Sequence, residues 1–595
     1  MRSVYSGYRV LVLAAVMAAI PSLCPAQKTD SLSTRGKWSG NTTVSAGYNY
    51  DKSPWKEMIP DLKHQSANIK LNLKYIKKDF TATVQFNSAW DNHWKSAEGF
   101  YIKNTEDLST SWSQIKHMGS IYNFRTTFQW KRPNTVYNSF VNINYNYNHN
   151  RRYNNTLNIT ALKLGLQGED NNSYTFTSGG GFNLTRKLNN GRKLFCETYF
   201  GYTNIDRYIE FSTLSSNEGA IDRIYRKTPF TIGFKSESRV YLSAPNTFNI
   251  NNLNTEAGGF FSITYDNEKN RGAYLADLGN KNSWVDSLKL RETFRYGVIN
   301  LSPYLKADYS YKYLKLKLDA RVQFYADKLT NKEEHQSYDF KDPVLLGNSE
   351  AEFRIAENHY FAVGYQTSIR RPTYLQLCWY LREGAFPDQY IVGNPKLKVT
   401  RSYRNIFSYR IRFRRFSSEL SSSFTRNLRE VEQTFFEEYI GEKKYKFFTW
   451  INTSYSKIWN TAFFLRYDTQ RYYLRADVSY YDYKGKAKTA GTVKNDHYWT
   501  AKASGGFNFK RGWSISSDIS YRSKISRAFY SYDKYYTLNC RIDKKFNRHT
   551  IFLEGRDLLE QKITTRFVSE DEMNIWAETA YNNRRFFLIG YIFNF

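Results

Sequence analysis

Residues 314–322 read Leu-Lys-Leu-Lys-Leu-Asp-Ala-Arg-Val. Leu314, Leu316, Leu318, Ala320 and Val322 take every second position, and Lys315, Lys317, Asp319 and Arg321 take the others. Neighbouring side chains of a β-strand point to opposite faces, so this stretch is a strand with one apolar and one charged face. A soluble sheet can carry one such strand; repetition decides the fold. Phe80, Ala82, Val84 and Phe86 alternate with Thr81, Thr83, Gln85 and Asn87. Val141, Ile143, Tyr145 and Tyr147 alternate with Asn142, Asn144, Asn146 and Asn148. About twenty to twenty-five such segments run from Thr42 to Phe595, many at or above the roughly ten residues that a tilted strand needs to cross a bilayer. Strands of soluble domains are nearer about five or six residues.

Only a closed barrel of strands satisfies every backbone group inside lipid. The expected fold is therefore all-β: an antiparallel transmembrane outer-membrane β-barrel of about 22 strands, with about 18 to 24 allowed because strand ends are soft in sequence. An even number would place both termini in the periplasm. The composition agrees. The chain has 50 Tyr, 42 Phe and 13 Trp, yet its mean hydropathy is −0.66. Aromatic bodies with polar tips suit the membrane interface, and a polar interior with polar loops lowers the mean.

The first residues read as a signal peptide, 1–26. Arg2 and Arg9 precede the short apolar run Val10–Ile20, and Pro25–Ala26–Gln27 offers a cleavage point. Leu23 stands where lipidation of Cys24 would call for a small residue. Residues 27–40 form a short periplasmic segment, and 41–595 the barrel with long extracellular loops. Tight turns are expected at Lys77–Asp79, Glu357–Asn358 and Lys510–Gly512. Long polar loops are expected at Asp91–Lys116, Asn204–Lys227, Ala326–Asn348, Arg371–Lys398 and Lys484–Asp496.

The net charge of +31 is threaded through strands and not gathered in a tail or one helix. That argues against nucleic acid and for an anionic solute, an acidic partner or surface polyanions. Lys70 and Lys74 flank Asn72 on one strand face, Arg475 accompanies Asp477, and Arg541 accompanies Asp543. Arg410, Arg412 and Arg414 share a face with no acid in their own strand. With Lys315, Lys317 and Arg321 they are the candidate inward basic face. Two readings stand: an anion-attracting lumen, or basic groups paired to acids on the wall.

No catalytic residue, cofactor or metal is expected. His359 and His549 sit beside turns with no serine motif near them. Gly179–Gly180–Gly181 lacks the Lys-Ser/Thr of a phosphate loop and reads as relief of crowding in the wall. Cys196, Cys378 and Cys540 are widely spaced and allow at most one disulfide. Trp379, Tyr380, Phe386 and Tyr390 lie in one long loop and are candidate partner contacts.

Three segments carry a resemblance. Arg370–Arg371–Pro372–Thr373–Tyr374 is followed by Gly393–Asn394–Pro395–Lys396–Leu397–Lys398. Lys544–Lys545–Phe546 leads to Leu558–Leu559, and the chain ends with Phe587, Ile589, Tyr591, Phe593 and Phe595 on one face. These resemble the barrel region of TonB-dependent receptors, in particular the Bacteroidetes outer-membrane barrel family. The resemblance implies a 22-stranded barrel, scaffold roles for Pro372 and Gly393–Asn394–Pro395, and a terminal strand that serves as the outer-membrane assembly signal. Receptors of that kind carry a plug domain before the barrel, whereas here residues 27–40 leave no room for one. The expected partners are outer-membrane lipid and lipopolysaccharide, the assembly machinery, and periplasmic or surface proteins. The expected role is a non-enzymatic scaffold or passage within a larger envelope complex. The alternatives are a passive channel with an anion-favouring lumen, or a degenerate receptor-like component of nutrient uptake.

Overall fold

The structure is a computed structural model. It describes residues 37–595, apart from 52–61, 104–106, 159–162, 216–220, 248–249, 277–284, 333–335, 342, 378–381, 384–388, 441–442, 487–492, 527–529, 560, 562, 569–573 and 581–584. The chain forms a closed antiparallel barrel of 22 strands. The first strand, Lys37–Asp51, pairs with the second, Leu62–Lys77, on one edge and with the last, Phe586–Asn594, on the other. Val44 stands opposite Tyr591, and Gly40 exchanges both backbone hydrogen bonds with Phe595 at 3.0 and 3.1 Å. Closure leaves the wall without a free edge, as lipid requires.

Alternation sorts the side chains as expected. Leu316 and Leu318 face outward and are exposed, while Lys317 and Asp319 face the lumen and pair with other inward groups. Phe587, Ile589 and Tyr591 of the final strand are exposed on the outer face, and Phe586 and Leu588 are buried on the inner one. Near the short-turn end the outer face carries interleaved rings: Trp38 against Tyr75 at 4.9 Å, Phe80 against Trp130 at 5.9 Å, and Tyr137 against Phe182 at 6.2 Å. Rings at this level form an interfacial belt.

The two ends of the barrel differ. At one, hairpins close in tight turns, including the expected ones at Lys78–Asp79, Glu357–Asn358 and Lys510–Gly512. Lys78, Lys312 and Asn547 take left-handed backbone there, with φ of 45°, 45° and 52°. The other end carries the long connections, and here the sequence expectation needs correction. Asp91–Lys116 is not a loop. It continues the ladder through His93 opposite His117 to Lys103 opposite Asp107. Asn204–Lys227 is likewise largely a hairpin, with Ile209 opposite Lys227. Lys484–Lys486 and Val493–Asp496 of the expected loop Lys484–Asp496 are likewise strand, with Lys486 opposite Val493. Where both sheet faces meet water, apolar alternation stops while the backbone ladder continues. Polarity was therefore a poor marker of where strands end.

As a result, the eight strands from Phe80–Lys103 to Val285–Tyr311 each run 23 to 27 residues. About nine to eleven are enough to cross a bilayer. Later strands are shorter: 13 residues at Thr400–Arg412, 10 at Trp513–Arg522 and 8 at His549–Arg556. The tall arc would leave a bare edge where Leu62–Lys77 stops. The hairpin Ile563–Val568/Asn574–Ala580 covers it, pairing Ala577 with Phe100 on that edge. Ile563–Val568 in turn pairs with Tyr530–Tyr532.

Candidate functional site

Two long connections of the short-strand arc fold into the mouth. Arg371 follows directly on the strand His359–Arg370. Its guanidinium donates to Asp327 at 2.8 Å and lies over the Tyr325 ring at 5.3 Å. Asp327 is only 4% exposed on the inner wall and also accepts from the Tyr296 hydroxyl at 3.5 Å. A buried carboxylate is costly unless paired, so this contact pins the start of the connection to the wall. One helical turn, Tyr374–Leu377, follows. Leu377 and, further on, Leu397 are buried against the inward side chains Phe294, Tyr296, Val298 and Leu329.

The Gly393–Asn394–Pro395 motif ties the fold of this region together. The Asn394 backbone amide donates to the Gln376 carbonyl at 2.7 Å, and its side-chain amide donates to the Trp450 carbonyl at 2.9 Å. Its side-chain oxygen accepts from the Lys396 amide at 2.9 Å. Leu397 then enters the apolar cluster, with its carbonyl accepting from the Tyr338 hydroxyl at 3.0 Å. Burial pushes the Tyr338 hydroxyl above its ordinary pKa, keeping it a donor. Asn452 accepts from the Lys398 amide at 2.7 Å and donates to the Lys398 and Arg429 carbonyls.

Trp450 and Asn452 belong to the second inward element, the hairpin Val431–Ile440/Lys443–Asn452. With Gln389–Ile391 and Arg382–Glu383 it makes a four-stranded sheet separate from the wall. Phe435 and Phe447 are buried in it, and Phe435 packs on Phe448 at 5.6 Å. The nearby wall strand Tyr472–Lys486 reaches it through Tyr483, whose buried hydroxyl donates to Glu432 at 3.2 Å. The cap thus bears on the wall strands Val285–Tyr311 and Tyr472–Lys486, the two ends of one continuous arc of the wall.

Below the cap the wall is lined by polar groups. Lys315, Lys317, Arg410 and Arg412 surround a recess of about 540 Å³, together with Glu350, Glu352 and Glu419. Arg410 donates to Glu419 at 2.8 Å and lies 3.7 Å from Glu352, and Lys317 reaches Glu350 at 2.9 Å. Glu419 sits on the strand beside that of Arg410 and Glu350 on the strand beside that of Lys317, while Glu352 lies two strands from Arg410. The paired, structural reading of this face therefore describes Arg410 and Lys317. Arg414 departs from the expected face: the strand ends at Arg412, and Arg414 lies in the turn before Phe416. Arg321 lies apart, over the Tyr304 ring at 5.5 Å and 3.9 Å from Asp319. Of the paired acids and bases expected within strands, Arg541 and Asp543 meet at 2.7 Å, with Glu554 adding a second carboxylate. Arg475 instead approaches Asp468, at 3.9 Å.

Trp379, Tyr380 and Phe386 lie outside the described residues, as do Cys378 and the side chain of Tyr390. The Tyr390 backbone pairs with Phe447 in the cap sheet. Cys196 and Cys540 are free thiols. His359 and His549 each meet a tyrosine hydroxyl on the outer face, His359 with Tyr409 at 2.6 Å and His549 with Tyr591. Among the described residues no group of His, Cys, Asp and Glu is placed to hold a metal ion. Sequence reasoning missed Asp327 and the Asn394–Trp450 tie. Their only sequence signal was that Arg371 and Asn394 stand in the two quoted motifs.

The fold is that of a large closed membrane barrel with two of its own connections folded into its mouth. Residues 186–594 match the model of the outer membrane protein beta-barrel family, and the chain belongs to that family. Its place is the outer membrane. Among solved structures, the barrel is similar to "Copper transporter OprC", with a TM-score of 0.61 at 10% identity over 96% of this chain and 82% of that one. It is similar to the pyoverdine outer membrane receptor FpvA from Pseudomonas aeruginosa, with a TM-score of 0.60 at 10% identity over 95% and 79%. It is also similar to the ferric yersiniabactin uptake receptor FyuA from Yersinia pestis, with a TM-score of 0.59 at 8% identity over 95% and 81%. At these identities the likeness is one of fold. No curated protein matches the chain in sequence.

Proposed function

We propose that this chain is a non-enzymatic, receptor-like uptake component whose inward-folded loops cover the mouth of its barrel. The observation that carries this reading is the cap. Arg371, Leu377, Asn394, Leu397 and the hairpin Val431–Asn452 fold into the mouth of a 22-strand barrel and bear on the wall strands Val285–Tyr311 and Tyr472–Lys486. A passive pore needs neither this girth nor a fitted cover. The tight-turn end and both termini face the periplasm, and the tall arc and cap face outward. The final outward face, Phe587 to Phe595, serves as the assembly signal.

The test is untargeted mass spectrometry of periplasmic extracts from cells with and without the chain, grown on a mixed nutrient supply. Uptake predicts one chemical class of solute depleted without the chain, with the depletion reproduced by collapsing the proton-motive force. Unchanged periplasmic contents would overturn it. The second reading, a scaffold subunit, is favoured by the tall arc, whose sheet offers a broad surface beyond the membrane. Co-purification of a stoichiometric set of envelope proteins in mild detergent would support it.

A further inference from the structure

Gly179, Gly181 and Gly201 stand on the lumen face of adjoining strands, Gly179 directly opposite Gly201 and Gly181 opposite Tyr199. They leave a stretch of wall without side chains, and two aromatic rings occupy it. A Cβ at Gly181 would stand 2.6 Å from the Phe140 ring. At Gly179 it would stand 2.6 Å from the Tyr199 hydroxyl, and at Gly201 2.9 Å from the same atom. The rings therefore lie down on the glycine backbone. They are nearly parallel, 16° apart, with centroids separated by 6.0 Å. This is what the glycine run accomplishes: it makes room for a flat aromatic surface on the inner wall.

The platform lies in a recess of about 520 Å³, within the range of small-molecule sites. Gln85, Asn87, Asn123, Asn142 and Asn144 supply side-chain amides around it. Each amide carries both donors and an acceptor, the combination that matches a vicinal pair of hydroxyls. The charged groups lining the recess are Lys70 and Arg125, with no carboxylate among the lining residues. The Arg125 guanidinium sits 5.3 Å from the Phe140 ring centre. This is the reverse of the Arg410 recess, where glutamates answer the bases.

The geometry points to a binding site for an acidic sugar, a pyranose ring bearing a carboxylate. The C–H face of the ring rests on Phe140 and Tyr199, the amides take its hydroxyls, and Arg125 and Lys70 take the carboxylate. The site deepens the uptake reading by naming a substrate class. Binding to the purified barrel requires no transport, however, so the two can fail separately.

The test is calorimetric titration of the full-length folded barrel in detergent with digalacturonate, with maltose and inorganic phosphate as comparison ligands. Folding of each variant is checked by the heat-dependent shift of its gel band. We expect saturable binding of digalacturonate, weakened at least tenfold by Phe140→Ala and by Arg125→Gln. Gly181→Ala, which pushes the ring off its floor, weakens it as well. Lys235→Gln, outside the recess, leaves it unchanged. Absence of digalacturonate binding by the folded wild-type barrel would overturn the proposal. So would undiminished binding by the Phe140 and Arg125 variants, or equal binding of phosphate, which would mark a bare anion site. Equal binding of maltose would overturn the acidic assignment.

Discussion

The arc from Phe80 to Tyr311 and the arc from Leu314 to Asn594 solve the same problem in different ways. Both send chain beyond the membrane at the long-connection end. In the first, the extra residues stay in the ladder and build a tall wall, so Asn92–Lys103 pairs with Asp107–Met118 residue for residue. In the second, the strands are shorter and the extra residues of two connections turn inward, where Leu377, Leu397 and Phe435 are buried. The difference follows from local chemistry. In sequence the tall hairpins mix many polar and charged residues with scattered apolar ones and lose the regular alternation of the membrane-crossing segments. The inward segments carry apolar residues and an arginine that meets a buried carboxylate, and these have a place only against the inner wall. One arc of the barrel sets its height and the other folds two of its connections into the mouth.

The contrast is broken most severely by removing the cover. Replacing 431–452 with a short Gly-Ser linker should leave the barrel assembled but sensitise cells severalfold to large hydrophilic antibiotics, read as a fall in minimal inhibitory concentration. A smaller effect is expected from Arg371→Ala. It leaves Asp327 buried and unpaired at a cost of about 3 kcal/mol. Limited proteolysis of intact cells should then cut within 371–399 far faster than in the parent. The tall arc should tolerate loss. Exchanging 207–229 for an Asn-Gly turn leaves 14 residues of its first strand, Lys193–Asp206, above the crossing length. Heat resistance of the folded band should change by less than about 0.5 kcal/mol.

The mildest test concerns Asp557, which follows the strand His549–Arg556. It is 8% exposed, and its carboxylate oxygens have no hydrogen-bond partner among the described residues. Burial raises its pKa. A carboxyl whose folded pKa is raised opposes folding at pH above that value and ceases to do so as the pH falls through it. Asp557→Asn should therefore stabilise the barrel by about 1 kcal/mol at pH 7 and flatten this part of the pH dependence. A destabilised variant would show that the carboxylate serves a purpose in its ionised form.

Sequence periodicity carried the barrel, its strand number and the inward or outward sense of most side chains. Leu314–Val322 and Phe586–Phe595 are sorted as their alternation required. Strand length was not legible, because alternation records the contrast between lipid and lumen and falls silent outside the membrane. That is why Asp91–Lys116 and Asn204–Lys227 resemble loops in sequence. The candidate basic face was legible in direction but not in charge balance. Glu352 and Glu419 meet Arg410 through the register of nearby strands, which no local pattern records. Arg414 shares the parity of Arg410 and Arg412, but the strand turns before it. The same gap hid Asp327, 44 residues from Arg371, and the aromatic platform, where Phe140 and Tyr199 meet over glycines from a third strand.

The central claim is that the chain's own loops close its mouth. Conductance of the purified full-length barrel in a planar bilayer, beside the variant lacking 431–452, tests it most directly. A closed or barely conducting parent and a large, steady conductance in the variant are the predicted results. A parent that already conducts as a wide pore, or a variant that stays closed, would contradict the account.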